Sequence, residues 1–197
     1  MKVIKVFLVL FVVSVFMSCE KDPLTKPPIE ASTGELLVNA DPAGTEFTLF
    51  SFADGKTVAG SERQSDKWDI GLKDVVFAVN GGVSGPGKGG AIVVQDVFDN
   101  ILEAPETGYK VDNSLSDLAI TGTSWYDYNS TTRAFTPKAG VVFIIKSGKG
   151  NFTKMEVLKA EPADNNGNIV VPPTRPTRYK YTIRYVYQPN GTRFFTK

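Results

Sequence analysis

The sequence predicts an all-β protein, either a single-domain antiparallel sandwich or an open, barrel-like sheet. Three observations carry this expectation. Short apolar or β-branched runs recur along the chain, each closed by Gly, Pro, Asn or Asp. Several alternate apolar with polar residues, the period of a half-buried strand. No long segment shows helical periodicity, and no internal repeat is present. Evenly spaced short strands with turn signals read as a sandwich or barrel.

Residues 36–38 form the first run, stopped by Asn39-Ala40-Asp41-Pro42. Residues 46–52 form the second, ended by Asp54-Gly55. Trp68, Ile70 and Leu72 then alternate with Asp69, Gly71 and Lys73. Residues 75–79 and 91–98 are β-branched and apolar, and residues 115–120 read as a turn of helix. Residues 140–146 read as a buried strand. Ser147-Gly148-Lys149-Gly150 turns it into its hairpin partner at 152–158. Tyr179, Tyr181, Ile183, Tyr185 and Tyr187 line one face of a long strand. Such a stripe can stack a flat ligand or a sugar, but packing into the core is the favoured reading. Gln188-Pro189-Asn190-Gly191 turns the chain into residues 193–195.

The chain begins as an export signal. Lys2 and Lys5 supply a positive start, and residues 6–16 are apolar except for Ser14. That run is too short to span a bilayer and fits a signal-peptide core. It ends in Phe16-Met17-Ser18-Cys19, a relaxed lipoprotein processing site, and Cys19 is the only cysteine. The expected division is a signal peptide at 1–18, a lipidated tether at 19–33 and one β domain at 34–197. Cys19 becomes the diacylated first residue, so membrane attachment needs no spanning helix. Pro23, Pro27 and Pro28 keep the tether extended. Glu20-Lys21-Asp22 resembles the surface-export signal of some outer-membrane lipoproteins and reads equally as a solvated linker.

Composition narrows the chemistry. Loss of residues 1–18 removes two lysines and no acid, leaving 20 basic and 21 acidic residues. A near-neutral chain has no electrostatic case for nucleic acid. There is no histidine, and no cysteine beyond Cys19. That excludes Ser-His-Asp and Cys-His catalysis and the usual zinc sites. The acids Asp66, Asp69, Asp74, Asp96, Asp99 and Glu103 are scattered without a glycosidase signature. No enzyme is expected.

The run Gly81-Gly82-Val83-Ser84-Gly85-Pro86-Gly87-Lys88-Gly89-Gly90 contains part of a phosphate loop. Gly89 stands where Ser or Thr should hold magnesium, and a strand rather than a helix follows. It therefore reads as a flexible inter-strand loop, of the kind that borders ligand sites. Asp164-Asn165-Asn166-Gly167-Asn168 lacks the bidentate acid of a calcium loop and reads as a polar turn. Met155, the one methionine beyond the signal peptide, has a thioether able to ligate haem iron, though its alternating run favours burial. Tyr109, beside Gly108, is a phenolate candidate in a loop.

Several segments together resemble the HmuY-like haem-binding lipoprotein family. Trp68-Asp69-Ile70-Gly71-Leu72 resembles its Trp-Asp-Ile strand, and Asn80-Gly81-Gly82-Val83-Ser84-Gly85 the loop that follows. Trp125-Tyr126-x-Tyr128, Pro137 and residues 141–146 resemble its middle. Gly150-x-x-x-Lys154-Met155 and Tyr181-x-x-x-Tyr185-x-Tyr187 through Phe194 resemble its last strands. The resemblance implies an all-β fold, lipid anchorage at the outer membrane with surface exposure, and capture of haem for an uptake receptor. Well-known members hold haem iron between two histidines, which this chain lacks; some relatives use methionine, which leaves Met155. Lys73 lies near where a histidine follows the Trp-Asp strand in some members. Met155, Tyr109 and Lys73 are thus the candidate ligand-binding residues, and no metal site is assigned. A surface lipoprotein for a glycan or protein partner is the alternative on the same scaffold.

Overall fold

The computed structural model describes residues 23–132, 134–171 and 174–197. The expected signal peptide at 1–18, Cys19 and the first residues of the expected tether lie outside the described residues. The strands are β1 (Ser32–Asn39), β2 (Thr48–Ser51), β3 (Lys56–Val58), β4 (Ile70–Lys73), β5 (Val76–Val79) and β6 (Gly90–Gln95). They continue as β7 (Tyr126–Asn129), β8 (Ala134–Pro137), β9 (Val141–Lys146), β10 (Phe152–Ala163) and β11 (Arg178–Gln188).

They form an all-β sandwich of two antiparallel sheets, not a closed barrel. In the larger, β11 lies between β1 and β10. The long β10 serves two neighbours. Phe152 to Met155 pair with β9, which pairs with β6, while Ala160 pairs with β8, which pairs with β7. The register of β10 on β11 shifts between Val157 and Lys159. The smaller sheet runs β3-β2-β4-β5.

Alternation decides which residues meet. Tyr181, Ile183 and Tyr185 of β11, Met155 and Val157 of β10, and Phe143 and Ile145 of β9 face the small sheet. There they join Phe50, Ile70, Leu72, Phe77 and Val79. Phe77 links the layers, tilted at 38° to Phe143 (centroids 5.4 Å apart) and edge-on to Tyr181 (6.2 Å). The tyrosine stripe is therefore core over Tyr179 to Tyr185, with Tyr187 packed at its edge. The opposite face of β9 and β11 carries a second cluster of Val142, Ile144 and Val186 under Phe98, Ala104 and Phe195. Lys154 secures that layer. Its ammonium donates to the carbonyls of Phe98 (2.7 Å) and Ile101 (2.9 Å) and lies 4.5 Å from the Phe98 ring centroid.

The glycine-rich segment 81–90 is a close-packed joint rather than a free loop. A β-carbon at Gly85 would overlap the Asn80 amide, and one at Gly89 the Asn80 carbonyl. Gly82 takes φ +63° against the Asp112 carbonyl, a conformation that costs other residues steric energy. Asn80 is fully buried and donates to the carbonyls of Ser65 and Trp68 while accepting from Gly87 N–H. Asp112 accepts from Val79 and Ala119 N–H, and Asp69 from Phe52 and Gly148 N–H. The expectation of flexibility is corrected by these neighbours: the glycines admit close backbone approach, not motion.

Other expectations are corrected as well. Residues 115–120 are not helical; Ser114 bridges Asp117 and Ile120 bridges Phe77. Past the turn, Phe194 makes an isolated bridge to Glu103. The expected tether is docked over residues 23–29, and β1 already starts at Ser32. Ile29 N–H donates to the Phe195 carbonyl, Lys197 N–H to the Pro27 carbonyl, and the Thr196 hydroxyl to the Pro23 carbonyl. Prolines favour extended backbone, which is also the shape that can lie against another extended segment, and Ile29 has an apolar seat on the second cluster.

Two outcomes follow. Trp68 is 1% exposed and donates its indole N–H to the Arg63 carbonyl. Trp68→Ala should cost about 3–5 kcal/mol by urea denaturation; an unchanged midpoint would contradict its role in the core. Burial pushes the Asp69 carboxyl up to about 6 from 3.8, outweighing its two amide hydrogen bonds. A raised folded value means that this contribution to stability is present below about pH 4 and is lost as pH rises to about 6. The loss amounts to roughly 3 kcal/mol for a two-unit shift. Stability curves between pH 4 and 7 should show this decline in the wild type and lose it in Asp69→Asn.

Candidate functional site

The sandwich is open at the end where β1 finishes and β11 begins. Asn39 stands opposite Arg178 there, and Val38 opposite Tyr179. The β7–β8 hairpin and the segment joining β10 to β11 project at the same end, because β8 pairs with the second half of β10.

Two adjoining hollows occupy this end. One, of about 610 Å³, is lined by Asn39, Asp41, Asn165, Arg175, Thr177 and Arg178 among others. The other, of about 450 Å³, is lined by Pro42, Asp74, Tyr128, Phe135 and Tyr179. Ala40, Arg175 and Pro176 belong to both, so the two form one cleft. Volumes of this order suit a small-molecule ligand.

One wall is aromatic. Phe135 has ring centroids 4.9 Å from Tyr179, 4.9 Å from Tyr126 and 5.0 Å from Tyr128. Tyr128 and Phe135 lie at only 31° to each other, and Tyr128 is 52% exposed. Two arginines border the hollows: Arg175, which lines both, is exposed, Arg178, which lines the first, is partly so, and neither forms an ion pair among the described residues. Asp74 sits at the floor with φ 48°. Its N–H donates to the Asn39 carbonyl (2.7 Å), and its own carbonyl accepts the Tyr181 hydroxyl (2.7 Å). Those two bonds tie the strained residue to both β1 and β11. Burial raises the Asp74 carboxyl above its ordinary value. An aromatic face that shares its hollow with Arg175 suits a planar ligand bearing a carboxylate.

The three residues singled out from sequence are not brought together. Met155 is fully buried between the sheets, opposite Phe143 and Tyr185 in the pairing register. Tyr109 packs against Phe152 in the second cluster, 5.9 Å between centroids. Burial pushes its phenol up to about 12, which opposes phenolate formation. Lys73 donates to the Pro42 (3.0 Å) and Gly44 (2.8 Å) carbonyls, so it braces the loop at the cleft rim. None of the three lines the cleft. The acids listed by sequence likewise do not gather, and no cluster of metal-binding side chains occurs among the described residues. The polar turn at Asp164 closes on itself: its carboxylate accepts from Asn166 and Asn168 N–H and from the Asn168 amide.

Sequence reasoning missed Tyr128, Phe135, Arg175 and Arg178 as neighbours. The hairpin carries few apolar residues, Tyr-Asp-Tyr-Asn against Ala-Phe-Thr-Pro. The signal available was Tyr126 and Tyr128 alternating before a Ser-Thr-Thr turn.

The sequence profile of the HmuY protein family matches residues 43–171. No curated protein matches the chain. Among solved structures, the apo HmuY analog of Tannerella forsythia aligns with 15% identity over 83% of this chain and 99% of its own, with a TM-score of 0.49. Apo PinO from Porphyromonas gingivitis aligns with 14% identity over 81% of this chain and 97% of its own, with a TM-score of 0.49.

The half-exposed Tyr128 has little stability to lose. Tyr128→Ala should change unfolding free energy by less than about 1 kcal/mol. A loss as large as that of a core aromatic would mean that the hairpin needs this ring to fold.

Proposed function

The chain belongs to the HmuY protein family, whose members bind haem and are not enzymes, and on that premise we propose that its open cleft captures haem or a related porphyrin. In this reading Cys19 carries lipid, the protein sits at the outer membrane facing outward, and the captured ligand passes to an uptake receptor. The observation that supports the cleft as the site is that Arg175 lines the same hollow as Tyr128, Phe135 and Tyr179, with Arg178 in the adjoining one. A porphyrin is flat, largely apolar and carries two carboxylates, so each wall has a complement on it.

The fit differs between ring and metal. The ring and its carboxylates have partners, whereas for iron the described lining residues offer oxygen donors, among them the phenols of Tyr128 and Tyr179 and the carboxylates of Asp41 and Asp74. Met155, Tyr109 and Lys73 stand elsewhere. Recognition then rests on the macrocycle, with burial worth roughly 25 cal/mol per Å², and an oxygen donor adds the iron contact where haem is the ligand.

The purified domain should therefore bind iron-free protoporphyrin and haem with affinities within about tenfold, which is a difference of about 1.4 kcal/mol. Tyr128→Ala, and Arg175→Ala combined with Arg178→Ala, should each weaken both by tenfold or more, on the scale of a lost charge-assisted hydrogen bond. Met155→Ala should lower stability by roughly 2–5 kcal/mol and leave the bound spectrum unchanged. Absence of saturable porphyrin absorbance in either titration would exclude this function and leave a glycan or protein ligand for the aromatic wall.

A further inference from the structure

We infer that this protein stands on the lipid surface in one orientation, with the end formed by residues 23–29 and 188–197 against the headgroups and the cleft at the far end. The inference rests on the reading of Cys19 as the lipidated residue and goes beyond it, because lipidation alone fixes no orientation.

Little chain separates the lipidated residue from the fold. Three residues separate Cys19 from Pro23, and three residues reach at most about 11 Å. Pro23 is already held: its carbonyl accepts the Thr196 hydroxyl at 2.8 Å. Pro28 bridges Thr196, Ile29 N–H bonds the Phe195 carbonyl, and the Ile29 side chain packs on the second cluster. The C-terminal segment is itself fixed. The Gln188 amide donates to the carbonyls of Phe194 and Thr196, and Phe195 N–H donates to the Leu102 carbonyl. An unbroken set of hydrogen bonds thus joins Pro23 to Gln188.

Gln188 is the last residue of β11, and Arg178, in the cleft wall, is the first. A strand of that length spans roughly 30 Å. Attachment and cleft therefore occupy opposite ends of the same strand. A free tether of a dozen residues would let the domain tumble and turn its cleft to the membrane. A tether docked at Pro23 holds the attachment end within the reach of the three residues that precede it and keeps the cleft roughly 30 Å farther away. A ligand site facing away from the membrane is accessible to a soluble donor of ligand.

The test uses the full lipidated chain on phospholipid vesicles carrying a headgroup energy acceptor. Cys19 is the only cysteine and its thiol is consumed by lipid, so a single introduced cysteine takes a fluorophore selectively. Thr192→Cys labels the attachment end and Thr131→Cys the tip of the β7–β8 hairpin; both positions are exposed. Transfer to the lipid should be at least threefold more efficient from Thr192→Cys. Ile29→Asp, which unseats the docked segment, should bring the two labels within about 1.5-fold while the protein still floats with vesicles. Equal transfer from the two labels in the otherwise native chain, with flotation intact, overturns the orientation and leaves lipid anchorage standing. Flotation that survives Cys19→Ala overturns the anchorage, and the orientation with it.

Discussion

Backbone amides at the closed end of the sandwich are satisfied by three buried side chains, and the rest of the fold is arranged around them. Asp69, Asn80 and Asp112 each bond backbone groups on segments far apart in sequence, the longest link joining Asp69 to Gly148. A buried N–H without a partner costs about as much as a lost hydrogen bond or more. The chain therefore cannot leave this junction except as a unit. The glycines follow from that requirement. Only backbone without β-carbons can approach Asn80 and the Asp112 carbonyl closely enough for these bonds to form.

With one end closed in this way, the long strands set the other. β10 and β11 run past the small sheet, so β10 pairs with β9 at one end and β8 at the other. The small sheet covers the tyrosine stripe but not the ground beyond Tyr179. What remains is a cleft whose floor is tied by the Tyr181 hydroxyl and the strained Asp74, and whose walls are a short aromatic hairpin and an arginine-bearing segment. The two ends differ in character: the closed end holds the satisfied polar groups, and the cleft holds two arginines that form no ion pair among the described residues. The same separation lets the docked N-terminal segment hold one end without touching the other.

Much of the fold was legible because period-two alternation reports directly on which face is buried. The runs at 68–72, 140–146, 152–158 and 179–187 became strands, and the hairpin across Ser147 to Gly150 formed as expected. The unread elements, β3, β7 and β8, are three or four residues long and mostly exposed, so no apolar pattern marks them. The glycine-rich segment was read as flexible because glycine permits both motion and close approach, and only neighbours tell the two apart. Met155 illustrates the same limit from the other side. Its chemistry made it a ligand candidate and its alternation made it core; its place opposite Phe143 and Tyr185 is on the core side.

The sequence by itself determined the all-β class, the positions of the long strands, the absence of histidine and the family, because these depend on residue identity and local periodicity. The tertiary structure alone decided where the hollows at the open end lie and what lines them. Tyr128, Phe135, Arg175 and Arg178 come from a hairpin, a distant connecting segment and the start of β11, and their arrival at one end of the sandwich depends on the pairing of β8 with β10 and of β10 with β11. No local pattern encodes that encounter; it is a consequence of strand register, which is fixed only when the whole sheet assembles.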